Sequence, residues 1–450
     1  MTKSALCGTL VLVVLLVPVA GARGTDGAVR ASSEHNLTTI RVAQTLQPAP
    51  VARAVASWCG TPSQPDSTPN ALAGYPVHWV YAIPSDGTDR FATFASSMQT
   101  DAEAIDAWWR GQDSTRVPRE DLAQFACGLQ LDLSTVRLSR SSAALQALDS
   151  PFDEIWSFLT SNGFSSQFYK YVVYYDGPVS NDSHCGSGGT LPDSLGIAMV
   201  FVQACAGVPN SAVAAHELIH TLGAVPDGAP HDCPAPNGGH TCDDTRDILF
   251  PFSNGSPLAD LILDPGRDDY YGHSGTWADA QDSPWLVQLD RQTELSVAIS
   301  GPGSIGADVP GLQCTQSCTT TWNADTKLQL TVAPSTNAKL VRWGGACSGA
   351  SACLVSVSQS TSVTALFAPL TYRLTVAVSG KGTVRDPGAV VSCPSRCSAR
   401  ASSYAPLRLS AKPAKGWRFK LWKGACHGTR PSCTLPMTKD TSARAVFARR

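Results

Sequence analysis

Five consecutive residues have the types and spacing to do chemistry together: His216-Glu217-Leu218-Ile219-His220. On a helix, positions i and i+4 lie one turn apart on one face, so both imidazoles can reach a single metal ion. The glutamate beside the first histidine can take a proton from a water that such a metal activates. With 9 His and 6 Glu among 450 residues, this pattern is expected by chance only about 0.002 times. A coincidental pair of core histidines therefore explains it poorly. Histidine is also concentrated here, since His216, His220, His231, His240 and His273 fall in one stretch. The helix that must carry the motif is well marked. Pro209-Asn210-Ser211 supplies a start, Ala212, Ala215, Leu218, Ile219 and Leu222 an apolar face, and Gly223 with Pro226 a stop.

Gly223 extends the run to HExxHxxG, which resembles the zinc motif of metzincin-type metallopeptidases. That resemblance implies an α+β zincin catalytic domain and one Zn2+ per chain, with His216 and His220 as ligands. It also implies peptide-bond hydrolysis through a metal-activated water, with Glu217 as general base. The family's third ligand lies three residues after the glycine, where this chain has Pro226, which cannot bind zinc. Three candidates follow it: Asp227, His231 and His240. The run Gly239-His240-Thr241-Cys242-Asp243 resembles a group of secreted bacterial HExxH proteins in which a histidine regularly precedes Cys-Asp. His240 therefore ranks first, then His231, then Asp227. Asp247-Ile248-Leu249-Phe250-Pro251 resembles the family's floor turn, with Leu249 in place of methionine. Some metzincins stabilise the oxyanion with a tyrosine, a role open here to Tyr270 or Tyr271, against plain aromatic packing. Asp243, Asp244 and Asp247 could hold Ca2+, against ordinary turn and capping chemistry.

The elements that would position this site alternate between strand and helix. Val77–Ile83, Tyr169–Tyr175 and Gly196–Val202 are apolar runs of strand length, and Leu129–Leu138 alternates as a strand. Ile105, Trp108 and Trp109 have helical spacing, and Asp149-Ser150-Pro151 opens a helix through Ile155, Phe158 and Leu159. An α+β body over 75–293 is expected. Residues 23–74, rich in Pro, Ser, Thr and Ala, read as a linker or short pro-segment.

From Glu294 the chain repeats itself. Cys314, Cys318, Cys347 and Cys353 recur as Cys393, Cys397, Cys426 and Cys433, and Trp343-Gly-Gly-Ala-Cys recurs as Trp422-Lys-Gly-Ala-Cys. Two all-β modules follow, 294–370 and 371–450. They resemble the cysteine-bearing β-repeat modules at the C-termini of secreted bacterial surface proteins and hydrolases, which implies a targeting or binding role.

Leu10–Ala20 is apolar but too short to span a bilayer, and suits a signal peptide over 1–22. No transmembrane segment is expected in the mature chain, which reads as secreted, extracellular or cell-surface associated. Removing Cys7 leaves fourteen cysteines, an even number that reads as a disulfide framework. Recurrence favours pairs within each repeat: Cys314–Cys318, Cys347–Cys353, Cys393–Cys397 and Cys426–Cys433. Cys233–Cys242 would tie the loop beside the motif helix, and parity leaves Cys59–Cys127 and Cys185–Cys205. The net charge of −2 hides a basic module: 371–450 carries sixteen Lys and Arg against Asp386 and Asp440. An anionic cell-surface polymer is a candidate partner for it, beside a protein or peptide substrate for the body. No nucleic-acid partner is expected. The competing reading is a non-catalytic surface-binding protein on a zincin scaffold.

Overall fold

The computed structural model describes residues 37–38, 40–42, 57–181, 183–189 and 194–450. The expected signal peptide lies outside them, as does most of the segment before Ser57. Strands predominate, and the principal sheet has six: β1 (Leu37–Thr38), β2 (Val77–Ile83), β3 (Leu133–Arg137), β4 (Lys170–Tyr175), β5 (Gly186–Gly189) and β6 (Gly196–Phe201). Their order is β1-β5-β6-β4-β2-β3. The four strands β3, β2, β4 and β6 run parallel, while β5 is antiparallel to β6 and β1 antiparallel to β5. Every residue of β2, β4 and β6 is buried, as expected of parallel strands covered on both faces.

One core layer joins this sheet to α1 (Phe91–Gln112) and α3 (Asn210–Thr221). The other lies under α2 (Phe152–Ser161). Ile105, Trp108 and Trp109 all face the core from α1. The expected strand over 129–138 divides at Asp132, because Gly128–Leu131 pairs back on Leu122–Phe125 while Leu133–Arg137 joins the main sheet. Residues 57–74 contain no regular strand or helix, yet they are not a free tether. Ser63 exchanges backbone hydrogen bonds with the β3 strand, and Ala71 N donates to Leu122 O.

The two C-terminal modules are copies of one sandwich. Each has two four-stranded sheets with the same strand order, and a β-bulge recurs between Leu340 and Arg342 and between Phe419 and Leu421. The cysteines pair as Cys59–Cys127, Cys185–Cys205, Cys233–Cys242, Cys314–Cys318, Cys347–Cys353, Cys393–Cys397 and Cys426–Cys433. Strict alternation would have put Trp422 on the face of Arg418 and Lys420. The bulge moves it one step, so Trp422 packs into the core.

Candidate metal centre

The motif helix α3 starts after Pro209 and is buried from Ser211 to Thr221. It packs on β5 and β6 and touches α1. After Leu222 the chain turns at Gly223, whose φ of +105° suits glycine. His216 and His220 therefore face inward at fixed positions one turn apart.

A third histidine meets them. Ligand atoms of His216, His220 and His240 all lie within 4.8 Å of one another, and the three residues are 0%, 0% and 2% exposed. His240 comes from the loop closed by Cys233–Cys242, whose backbone is ordered by Cys233 N donating to His240 O and Cys242 N to His231 O. The other two candidates are elsewhere. His231 is 39% exposed, bonds Asp269 Oδ2 at 3.0 Å, and groups with Asp243 and Asp269. Asp227 is exposed on the preceding turn.

The rings are held in one tautomer by backbone carbonyls, which can only accept. Nδ1 of His216 donates to Ile248 O at 2.5 Å, Nδ1 of His220 to Ala224 O at 2.7 Å, and Nδ1 of His240 to Asn237 O at 3.1 Å. Each Nε2 is then the acceptor nitrogen of a neutral ring. Burial, then the neighbouring histidines, keeps the pKa of His216 and His220 well below the ordinary value. Nε2 of His216 and Nε2 of His220 nevertheless sit only 3.1 Å apart. Two lone pairs converging in a dry interior fit a cation between them, and three neutral imidazoles are a donor set suited to zinc.

Glu217 is fully buried beside them. Oε1 accepts a long bond of 3.4 Å from Ile40 N, while Oε2 has no hydrogen-bond partner among the described residues. Burial raises its pKa well above the usual carboxylate range. Room for this carboxylate comes from the glycine strand β5. A Cβ at Gly186 would fall 2.7 Å from Glu217 Oε1, and one at Gly188 would fall 2.9 Å from Oε2. Residues i and i+2 of a strand share a face, so Gly186 and Gly188 both leave space for one side chain. The run Cys185-Gly-Ser-Gly-Gly was the available sequence signal, and the sequence reading did not use it. Nor did it place Ile40, which is buried against this centre while β1 pairs with Gly188 and Gly189.

The turn after the loop supports the site from below. Asp247 is buried and accepts from Leu249 N, Thr241 Oγ1 and Tyr270 Oη, which brings Ile248 O under His216. Leu249 is fully buried. Asp243, Asp244 and Asp247 do not converge: Asp244 is turned to Arg246 and Asp247 inward to its three donors, the turn and capping chemistry that was the alternative to calcium. Tyr271 is likewise committed to packing. Its hydroxyl donates to Asp113 Oδ2 at 2.9 Å and accepts from Trp109 Nε1 at 3.2 Å. These bonds, not an oxyanion, account for that hydroxyl.

Comparisons with known proteins add distant likenesses. The family model of the divergent InlB B-repeat domain matches residues 372–450. Metalloproteinase-II from Bacteroides fragilis is similar at 14% identity and a TM-score of 0.24, over 44% of this chain and 53% of its own. The chain thus spans about half the length of that protein. Catalytically inactive OgpA from Akkermansia muciniphila, solved with an O-glycopeptide substrate, is similar at 9% identity and a TM-score of 0.24, over 87% of this chain and 100% of its own. The minor pilin GBS52 from Streptococcus agalactiae is similar at 8% identity and a TM-score of 0.14, over 35% of this chain and 96% of its own. The comparison with curated proteins found no match.

Proposed function

We propose that the chain is a secreted endopeptidase of zincin type with one catalytic zinc, with residues 75–293 catalysing and the C-terminal modules targeting. The observation that carries this reading is the convergence of His216, His220 and His240, each ring fixed through Nδ1, beside a buried glutamate. His216, His220 and His240 would hold zinc, which when bound supplies Lewis-acid polarisation of a carbonyl and of the attacking water. Glu217 takes the proton of that water on Oε2 and returns it to the leaving amine. Its burial beside glycines keeps bulk water from competing for the proton. Ile248 O and Ala224 O hold the rings in the tautomer that presents Nε2.

Two further features belong to this reading. The strand Leu37–Thr38 and the Ile40 amide cover the edge of β5 at Glu217, a position that suits a pro-segment shielding the centre. Six of the sixteen basic residues of the second module, Arg373, Arg400, Arg418, Lys420, Lys423 and Arg444, are exposed on strands of one sheet. Arg373 lies directly opposite Arg400, and Lys423 opposite Arg444. Like charges directly opposed across strands oppose folding, so a role in binding an anionic surface accounts for them better than stability does. No helix of the described residues is long and apolar enough to cross a membrane.

The deciding experiment measures bound zinc and casein hydrolysis together. Wild type should hold zinc at the histidine centre and cleave casein. His216→Ala should lose both, and Glu217→Gln should keep zinc and lose turnover. Casein cleavage by Glu217→Gln at the wild-type rate would overturn the mechanism.

A further inference from the structure

A second group of side chains converges away from the histidine centre. Asp66, His78, Asp121 and Asp132 offer ligand atoms all within 4.8 Å of one another. His78 stands near the start of β2, Asp132 immediately before β3, Asp121 immediately before Leu122–Phe125, and Asp66 in the 57–74 segment. His78, Asp121 and Asp132 are 0%, 1% and 0% exposed. The Asp66 side chain keeps 12% exposure, so the way in from solvent passes it.

Partners account for only part of this group. His78 Nε2 meets Ser134 Oγ at 2.8 Å, and Nδ1 lies 2.8 Å from Asp121 Oδ2 and 3.9 Å from Asp66 Oδ2. Asp121 Oδ1 accepts from Asn70 Nδ2 at 2.6 Å. The Thr68 side chain favours the charged form of Asp132, yet among the described residues neither carboxylate oxygen has a partner in full hydrogen-bond geometry. Asp66 Oδ1 is also buried without a partner among the described residues. Leaving buried carboxylate oxygens unmatched is costly. One imidazolium could offset only one of three carboxylates. Ser134, His78 and Asp121 are bonded in the order of a hydrolase triad, but the Ser134 hydroxyl is enclosed between His78 Nε2 at 2.8 Å and Ser63 Oγ at 3.0 Å, which accounts for it structurally.

We propose that Asp66, His78, Asp121 and Asp132 bind a divalent first-row cation of the Zn2+ or Mn2+ kind, at a structural site separate from the histidine centre. With Nε2–H donated to Ser134, Nδ1 presents its lone pair to the carboxylates. Two ligands at right angles on metal bonds of about 2.1 Å lie about 3.0 Å apart, near the 2.8 Å between Nδ1 and Asp121 Oδ2. The imidazole disfavours Ca2+ and Mg2+, which prefer all-oxygen shells. Such an ion would clamp residues 57–74 to the starts of β2 and β3, where Ser63 already bridges to Ser134.

The test uses the full chain, stripped of metal and then titrated with Zn2+, Mn2+ or Ca2+, with bound metal counted by mass spectrometry. Wild type should take up two equivalents of Zn2+. His240→Ala should keep the equivalent held by the carboxylates, and Asp132→Asn should lose that equivalent alone. Zn2+ or Mn2+ should also slow proteolysis within 57–74 in wild type and in His240→Ala, but not in Asp132→Asn. Should Asp132→Asn fail to fold, His240→Ala decides: one tight equivalent supports the site and none overturns it. Two equivalents surviving in folded Asp132→Asn would also overturn it. Ca2+ binding as tightly as Zn2+ and Mn2+ would overturn the assigned class of cation.

Discussion

Arg119 donates from Nη2 to the side-chain oxygen of Asn323 at 2.9 Å, across 204 positions of sequence. Asn323 belongs to the first β module, and its amide also binds the body through Gln288 N and Leu286 O. Ala73 enters the module's own core, and Gly74 N donates to Pro310 O. The first module is thus joined to the body and is not a freely detachable unit. Asn323→Ala would strand the guanidinium of Arg119, which is 4% exposed. A loss of about 2–4 kcal/mol in denaturant unfolding is expected. A loss below about 0.5 kcal/mol would show that the junction carries no stability.

At the histidine centre, His240→Ala should weaken zinc binding about as severely as His220→Ala, because two protein ligands hold zinc poorly. His231→Ala should leave binding within about twofold, since that ring is bonded to Asp269 instead. Competition titration with a chromogenic chelator measures both. The reverse ranking would move the ligand role to His231.

The cover at Glu217 makes a kinetic prediction. A protein beginning at Ser57 lacks the β1 strand and the Ile40 amide that donates to Glu217 Oε1. Its kcat/KM on a small peptide should exceed that of the longer chain, by about tenfold if uncovering removes roughly 1.4 kcal/mol of competition. Equal rates would mean that the covering strand does not obstruct the centre.

The basic sheet should act through charge. Retention on an anionic matrix should fall as salt rises, because exposed contacts are screened over about 8 Å in physiological salt. Truncation after Pro369 should abolish retention while small-peptide cleavage persists. Replacing Arg373, Lys423 and Arg444 with glutamate should abolish retention without unfolding, as all three are exposed. Salt-independent retention would count against an electrostatic surface.

Asp101 gives a pH dependence with a definite sign. Burial raises its pKa to about 6, although it accepts a bond of 2.8 Å from Tyr174 Oη. A carboxyl whose folded pKa lies above its unfolded value stabilises fully below the unfolded value, near 3.8, and loses that contribution as pH rises through about 6. The stability of Asp101→Asn relative to wild type should therefore increase between pH 4 and 6 and level off above. The change is on the order of 2 kcal/mol. Urea unfolding across that range measures it, and a flat difference would show that Asp101 titrates normally.

His216, Glu217 and His220 were legible in sequence because helical spacing alone brings i and i+4 together. Val77–Ile83 and the duplicated modules were legible for the same reason: each pattern is local or repeats in register. His240 could be ranked from its neighbours, but only the folded loop, closed by Cys233–Cys242, brought its ring to the other two. The break at Asp132, the clearance at Gly186 and Gly188, and the inward turn of Trp422 depend on which strand lies alongside. Docking of residues 57–74 depends on partners far away in sequence, such as Ser134 and Leu122. Long-range pairing and close packing are set by the surfaces that meet in the fold, and a local pattern of residues does not encode which surfaces those will be.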